Sequence, residues 1–191
     1  MGIRIALACA AAITAALALS SCATLNEEQC QVTDWRVLGQ TDGSQGRPQS
    51  YVAQHQSACT RFGIPVDATA WTAGWQQGTV PYCTPTNGLN VGRAGRTNFN
   101  ACPADSAAQF NEAYNAGRAV YDARTSRDRL QRELNALIAA LPNVAPADLP
   151  VKQTEIELKR NAVTQAQLQV TSAERAADLF QSRLLTRQAL Q

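Results

Sequence analysis

The 191-residue chain has little charge, few aromatic residues and a single histidine. Its formal charge is +2 from 17 basic and 15 acidic side chains, so no excess of positive charge indicates nucleic-acid binding. The aromatic content of 6% indicates a thin hydrophobic core. One histidine is too few for the usual mixed cysteine and histidine zinc sites. The length allows one domain, or a small domain with an extension.

The sequence also lacks an apolar run that could span a bilayer. Its longest run, residues 5–19, is interrupted only by Thr14. That run is shorter than the roughly 20 residues that a membrane-spanning helix needs. It follows the short basic segment Met1–Arg4. This pattern is typical of a secretion signal, and we expect residues 1–21 to be removed.

At the end of the signal, residues Leu19–Cys22 have the sequence LSSC, which resembles the lipobox of bacterial lipoproteins. The resemblance implies that Cys22 becomes the first mature residue and carries lipid on its sulfur and on its new amino group. Three acyl chains are enough for stable attachment to a membrane. Because Ala23 and not aspartate follows, the resemblance implies an outer-membrane protein that faces the periplasm. Residues 22–29 would form a lipidated linker.

Export determines how the six cysteines are interpreted. Cys9 leaves with the signal and Cys22 carries lipid, so an even number remains in an oxidising compartment. These four are Cys30, Cys59, Cys83 and Cys102. Disulfides are favoured over a four-cysteine zinc site or a redox centre, because no C-x-x-C pair is present. Three pairings are open, and the helix layout below favours Cys30–Cys59 with Cys83–Cys102, each worth about 3 kcal/mol.

Composition changes near Pro103. Nine of the eleven glycines and all three tryptophans lie between Cys30 and Cys102. We therefore predict an all-α protein with a small, disulfide-stapled, glycine-rich helical head, followed by a long antiparallel helical hairpin that resembles a coiled coil. The predicted segments are the head (30–104), one long helix (105–141), a turn (142–149) and a second long helix (150–188).

The hairpin prediction depends on two runs of apolar and small residues spaced alternately three and four apart. They are Ala113, Ala116, Val120, Ala123, Arg127, Leu130, Leu134, Leu137 and Leu141, then Ile156, Lys159, Val163, Ala166, Val170, Ala173, Ala177, Phe180 and Leu184. The short link between them makes them antiparallel neighbours. Ser106 and Gln109 form a capping-box pattern that predicts the start of the first helix.

Four leucines lie off this seam and indicate a further contact for the hairpin. They are Leu158, Leu168, Leu179 and Leu185. A two-helix hairpin leaves much of its apolar flank in water, so these leucines could cover the head, a second copy of the chain or another envelope protein. Self-association through the hairpin therefore stays open beside docking of a different protein.

The head contains two glycine triplets with the same spacing. Gly39, Gly43 and Gly46 precede Arg47, and Gly88, Gly92 and Gly95 precede Arg96. Residues at i, i+4 and i+7 share one helix face, so these stripes could let a neighbouring backbone come close. The dipeptides at 42–43 and 87–88 are instead typical of β-hairpin turns, and short strands or loops stay an alternative there. Neither triplet fits a nucleotide-binding loop.

Four head residues are candidates for ligand binding: Trp35, Asp42, His55 and Asn87. His55 could also act as a base oriented by Asp34 or Asp42, but hydrolysis usually needs a nucleophile in the same pocket. A single histidine on the apolar face of Tyr51, Cys59 and Phe62 is more often a packed core residue. The carboxylates and Asn87 are more often helix caps and turn residues. We therefore expect no catalytic residue, metal or cofactor, and neither nucleic acid nor nucleotide as a partner.

These motifs together resemble a known family. They are Cys30-x3-Asp34-Trp35-x3-Gly39-x2-Asp42-Gly43-x2-Gly46, His55-x3-Cys59, Tyr82-Cys83-Thr84-Pro85-x-Asn87-Gly88-x3-Gly92-x2-Gly95, Cys102-Pro103 and Phe110-x3-Tyr114-x2-Gly117. The chain is similar over residues 30–121 to a family of proteobacterial envelope lipoproteins known only as a domain of unknown function. The resemblance implies export and a lipid anchor, and no activity.

Three function classes follow. The first is a non-catalytic, lipid-anchored protein whose head or hairpin docks an envelope partner, and it is the one we favour. The second is a binding module for a cell-wall or small polar ligand through the tryptophan- and glycine-rich head. The third is an enzyme that uses His55.

Overall fold

A computed structural model describes residues 24–189, apart from the side chains of residues 187 and 188. The predicted signal segment and Cys22 lie outside the described residues. Within the described range every regular element is helical. The fold class predicted from the sequence is therefore confirmed at the level of an all-helical protein with two disulfides.

Residues 24–189 form seven α-helices. They are α1 (Glu27–Val32), α2 (Trp35–Ser44), α3 (Val52–Thr60), α4 (Ala68–Tyr82), α5 (Pro85–Arg93), α6 (Ala104–Ala140) and α7 (Leu149–Ala189). A 3-10 turn, Gln49–Tyr51, precedes α3, and two more, Leu141–Asn143 and Pro146–Asp148, connect α6 to α7.

The helix starts in the head follow from side-chain caps. The Asp34, Asp67 and Thr84 side chains each accept a backbone N–H from the first turn of α2, α4 and α5. The capping box predicted at Ser106 is wrong. The N-cap of α6 is Pro103, three residues earlier, and the Ser106 hydroxyl donates to the Pro103 carbonyl instead. The ring of Pro103 fixes its φ angle, and the first turn of α6 has no side-chain cap.

Helices α2 and α4 contact each other backbone to backbone through glycine. A Cβ on Gly39 would lie 2.0 Å from the Trp71 carbonyl oxygen, and one on Gly78 would lie 2.1 Å from that of Gln40. No real Cβ fits at such distances. The predicted close approach of bare helix faces is therefore present, and the hairpin-turn alternative at 42–43 and 87–88 is excluded because both dipeptides lie inside helices.

Helices α5 and α6 repeat this packing. A Cβ on Gly92 would lie 2.2 Å from the Tyr114 carbonyl oxygen, and one on Gly117 would lie 2.2 Å from that of Leu89. Helices α2 and α5 are each followed by a glycine with a left-handed backbone conformation, Gly46 and Gly95. A tyrosine ring covers each of these glycines. Only glycine adopts this backbone conformation without strain, and only glycine leaves room for the ring.

The head is therefore built from two equivalent helix pairs. Trp71, Gly74, Trp75, Gly78 and Tyr82 of α4 correspond to Phe110, Ala113, Tyr114, Gly117 and Tyr121 of α6, each 39 residues later. The hydrogen bonds correspond as well. The Trp75 indole N–H donates to the Arg47 carbonyl, and the Tyr114 hydroxyl donates to the Arg96 carbonyl.

The helix-pair repeat extends past residues 104/105, where the sequence predicts the end of the head. The first half of α6 completes the second helix pair of the head, with Phe110 and Ala113 buried against α5 and its surroundings. One continuous helix therefore belongs to the head at its start and packs only on α7 near its end. The composition change near Pro103 coincides with the start of α6.

Each helix pair of the head carries one disulfide. Cys30 is bonded to Cys59 and Cys83 to Cys102, which are the two pairs that the predicted layout favours. Cys30 of α1 precedes α2 and bonds Cys59 of α3, which precedes α4. Cys83 precedes α5 and bonds Cys102 in the loop before α6. The loops that they close span 29 and 19 residues.

Helices α6 and α7 are held together by small and apolar residues and by polar pairs. Ile156, Ala166, Val170 and Ala177 of α7 are buried, as are Val120 and Leu134 of α6. The polar pairs are Arg124 with Glu174, Arg127 with Gln167, and Lys159 with Glu133. The four leucines outside this seam are exposed, by 58–65%.

Candidate functional site

A buried polar cluster lies where α2, α3 and α4 meet. The Nε2 atom of His55 lies 2.9 Å from Oδ2 of Asp42, and the Trp71 indole N–H donates to the same oxygen at 2.9 Å. The other ring nitrogen of His55, Nδ1, lies 2.9 Å from the hydroxyl oxygen of Thr24. Four side chains from four segments of the chain therefore form one connected hydrogen-bond network.

Helix packing brings these groups together. Asp42 precedes Gly43 on the glycine face of α2, and Trp71 lies on the face of α4 that contacts it. His55 is on α3, which the Cys30–Cys59 disulfide holds beside α1. The close α2–α4 contact therefore fixes two members of the network, and the disulfide fixes the third.

The hydrogen-bond role of each His55 ring nitrogen follows from its partner. An ionised carboxylate only accepts hydrogen bonds, so Nε2 carries the proton that it donates to Asp42. In the neutral ring, Nδ1 then accepts the Thr24 hydroxyl proton, and in the charged ring it donates to that oxygen. Both ring nitrogens are satisfied in either state, which is what burial of a polar side chain requires.

His55, Asp42 and Trp71 are buried, whereas Thr24 is partly exposed. His55 is 3% exposed and Asp42 is 5% exposed. The Tyr51 ring meets the imidazole edge-on with the centroids 5.1 Å apart, and the Trp35 and Trp71 rings lie 6.4 Å away. His55 therefore links α3 to α2 through Asp42 and to the N-terminal segment through Thr24.

The same geometry bears on the catalytic alternative. Threonine hydroxyl, imidazole and carboxylate stand in the order of a nucleophile, its base and an orienting acid. Asp42 is the partner of His55, whereas Asp34 caps α2 by accepting from the N–H groups of Arg36 and Val37. In a hydrolase the hydroxyl must face a substrate. Here the Thr24 hydroxyl is bonded to the imidazole and its side chain is partly exposed, while the ring of His55 is buried.

The structure brings only part of the predicted binding set together. Trp35 and Asp42 lie at His55, but Asn87 belongs to the second helix pair, where its side-chain N–H donates to the Tyr82 carbonyl. The expectation that Asp42 and Asn87 are caps or turn residues is wrong, because both lie inside helices. Thr24 was not predicted, since nothing in its sequence surroundings indicates a contact with a residue 31 positions later.

A cleft between the two helix pairs is a second candidate site. It has a volume of about 310 Å³ and is lined in part by Gln45, Tyr82, Arg96 and Phe99. Burial raises the pKa of the Tyr82 phenol, and the nearby positive charge of Arg96 opposes that rise. Phe99 is half exposed. A cation and two aromatic rings can bind a small anionic or aromatic ligand.

Of the residues that line this cleft, Arg96 is the one that stands out in the sequence. It follows the second glycine triplet as Arg47 follows the first. The guanidinium of Arg47 lies over the Tyr51 ring, 4.6 Å from its centroid. Arg96 is exposed, and within the described part of the chain its guanidinium neither lies over an aromatic ring nor forms an ion pair. The two arginines thus have equivalent sequence positions and different surroundings.

The described residues contain no cluster of three histidine, cysteine or acidic side chains that could hold a metal ion. None of the helices within residues 24–189 combines the length and the apolar character needed to cross a membrane.

Residues 34–119 match the sequence model of a family described as a protein of unknown function (DUF2799). The matched range begins at the cap of α2 and ends within α6, so it covers both helix pairs of the head. This agrees with the resemblance to an uncharacterised domain. No curated protein and no solved structure matches the chain.

Proposed function

We propose that the mature protein is a non-catalytic, lipid-anchored protein of the outer membrane that faces the periplasm and docks another envelope protein through α7. The row of exposed leucines on that helix carries the docking proposal. Leu158, Leu168 and Leu179 are 65%, 58% and 60% exposed. At 100° per residue they fall within roughly 80° of the helix circumference, whereas Leu185 lies elsewhere on it.

We infer that α6 and α7 form an antiparallel hairpin that presents this row. The polar pairs 124–174, 127–167 and 133–159 support the inference, because one residue number falls as the other rises. The shared core of Ala113, Val120 and Ala177 agrees with the same register. In that arrangement one side of α7 is covered by α6 and the leucines point elsewhere.

The closed polar cluster supports a non-catalytic role. Both nitrogens of His55 are bonded within the protein, and its ring is covered by aromatic side chains. The exported, lipid-anchored part of the proposal depends on residues 1–22, whose pattern resembles a lipoprotein signal.

A photo-crosslinking side chain placed at Leu168 in intact cells tests the docking surface. The control carries the same group at Arg132, an exposed residue of α6. We expect an adduct with a different envelope protein from position 168 alone, and its loss when Leu158 and Leu179 are changed to serine. Equal adducts at both positions, no adduct, or an adduct that contains only a second copy of this chain would contradict the proposal.

The substitution Cys22→Ala tests the anchor. We expect an unprocessed precursor that lacks acyl groups by intact mass, since the modified cysteine is also the cleavage signal. Normal cleavage that releases a soluble product would show that Cys22 is not lipidated.

The cleft between the helix pairs favours a second candidate function, which is binding of a small anionic ligand in the head. Arg96 and Phe99 would make the contacts. Titration with small carboxylates, followed by NMR, should shift the signals of both residues in the native protein and leave an Arg96→Gln variant unchanged. Equal shifts in the variant would argue against this site.

A further inference from the structure

We propose that the loop of residues 61–66 rests on the phospholipid surface beside the lipid anchor. Its sequence is Arg-Phe-Gly-Ile-Pro-Val, and we refer to it as the apolar loop. This inference rests on lipid attachment at Cys22, as proposed above. It adds that the head contacts the membrane with a defined face and does not hang from a flexible tether.

The N-terminal segment is fastened to the head next to this loop. The Thr24 hydroxyl is bonded to buried His55, and the Arg61 guanidinium donates to the Leu25 carbonyl at 3.4 Å. Two residues later a capping box between Asn26 and Gln29 starts α1. The chain therefore has a fixed position from Thr24 onward.

Chain geometry then limits how far the head can stand from the anchor. Cys22 is two residues before Thr24. A fully extended chain covers at most about 3.6 Å per residue, so their Cα atoms lie within about 7 Å of each other. Lipids on Cys22 must enter the bilayer within this reach. The surface around Thr24 and the apolar loop therefore lies at the headgroup region.

The apolar loop has the composition and shape for that position. Phe62, Ile64 and Val66 are partly exposed although apolar, and Pro65 is exposed. Gly63 has a φ of +73°, and a Cβ there would find no atom within 4 Å, so the tip of the loop projects into open space. Such side chains gain free energy when they enter the boundary between headgroups and acyl chains.

Arg61 supplies the polar part of the contact. Its guanidinium lies over the Phe62 ring, 4.6 Å from the centroid, and its side chain is exposed. A guanidinium can bond a lipid phosphate in bidentate fashion while its stem lies on apolar groups. Glu27 and Glu28 begin α1 nearby and offset this charge, so we expect the contact to need the covalent anchor and not a strongly anionic membrane.

Quenching by spin-labelled lipid tests the contact. The full chain, lipidated at Cys22, is placed in vesicles of phosphatidylethanolamine and phosphatidylglycerol with a fluorophore on Pro65→Cys. The matched control has the same label and a ten-residue glycine-serine insertion between Ala23 and Thr24, which keeps the anchor and the Thr24–His55 bond. We expect several-fold stronger quenching by headgroup nitroxides without the insertion.

Equal quenching with and without the insertion, or none in either, would overturn the inference. Intact mass separates this failure from failure of the proposed function. If the mass lacks acyl chains, the anchoring proposal is wrong. Coupling a synthetic diacyl maleimide to Cys22 of the mature chain then tests the apolar loop by itself, with the same two outcomes.

Discussion

At the scale of single residues, the buried pair of His55 and Asp42 carries a desolvation cost. Burial removes water from a carboxylate, and this loss is offset only when the charge is bonded from several directions. Asp42 receives the imidazole and the Trp71 indole at one oxygen. In the second helix pair, apolar Val91 precedes Gly92 as Asp42 precedes Gly43. The glycine packing itself therefore does not require the carboxylate.

We predict that Asp42→Leu lowers the free energy of unfolding by about 3–5 kcal/mol, because it leaves two buried N–H groups without an acceptor. Urea unfolding with intact disulfides measures the loss. Asp34→Ala is the control on the same helix and should cost about 1 kcal/mol through loss of the cap. Equal losses in the two variants would show that the buried network contributes little.

At the scale of helices, glycine decides how the head packs. A glycine inside a helix normally costs about 1 kcal/mol relative to alanine. Here the missing side chains let the backbones of α2 and α4, and of α5 and α6, approach within distances that exclude a Cβ. The spacing of the glycines is visible in the sequence. Which stripe faces which is visible only in the fold.

Two substitutions on α6 separate helix propensity from packing. Gly117→Ala should destabilise the protein by several kcal/mol, because its Cβ would lie 2.2 Å from the Leu89 carbonyl oxygen. Ala119→Gly, at an exposed position two residues on, should cost about 1 kcal/mol. Thermal unfolding measures both. Stabilisation by Gly117→Ala would mean that propensity outweighs the close contact.

At the scale of the whole molecule, charge pairs join the two long helices beside their apolar seam. Glu133 of α6 bonds Lys159 of α7 at 2.8 Å and Arg129 of its own helix at 2.7 Å. These two bonds lower the pKa of Glu133. A carboxyl with a lowered pKa in the folded state stabilises the fold above its ordinary pKa, and this contribution disappears as the pH falls through the lower value.

The Glu133→Gln variant should therefore lose less stability than the native protein as the pH falls below about 4.3, the ordinary glutamate value. Unfolding midpoints measured from pH 6 to pH 2.5 report the difference. Glu157→Gln removes the same charge from a pair within α7 and controls for net charge. A native pH profile in Glu133→Gln would show that the link between the helices does not depend on this ionisation.

The sequence by itself determined the all-helical fold, the cap at Asp34, the leucines outside the helix seam, and a cysteine set whose layout favoured the observed pairs. These features depend on the spacing of residues along the chain, which can be read from the sequence. Tertiary structure alone decided that α6 completes the head, that Asp42 is a buried partner of His55, and that Thr24 fastens the N-terminus. Each of these contacts joins residues distant in sequence, and only the close approach of the helix backbones brings them together.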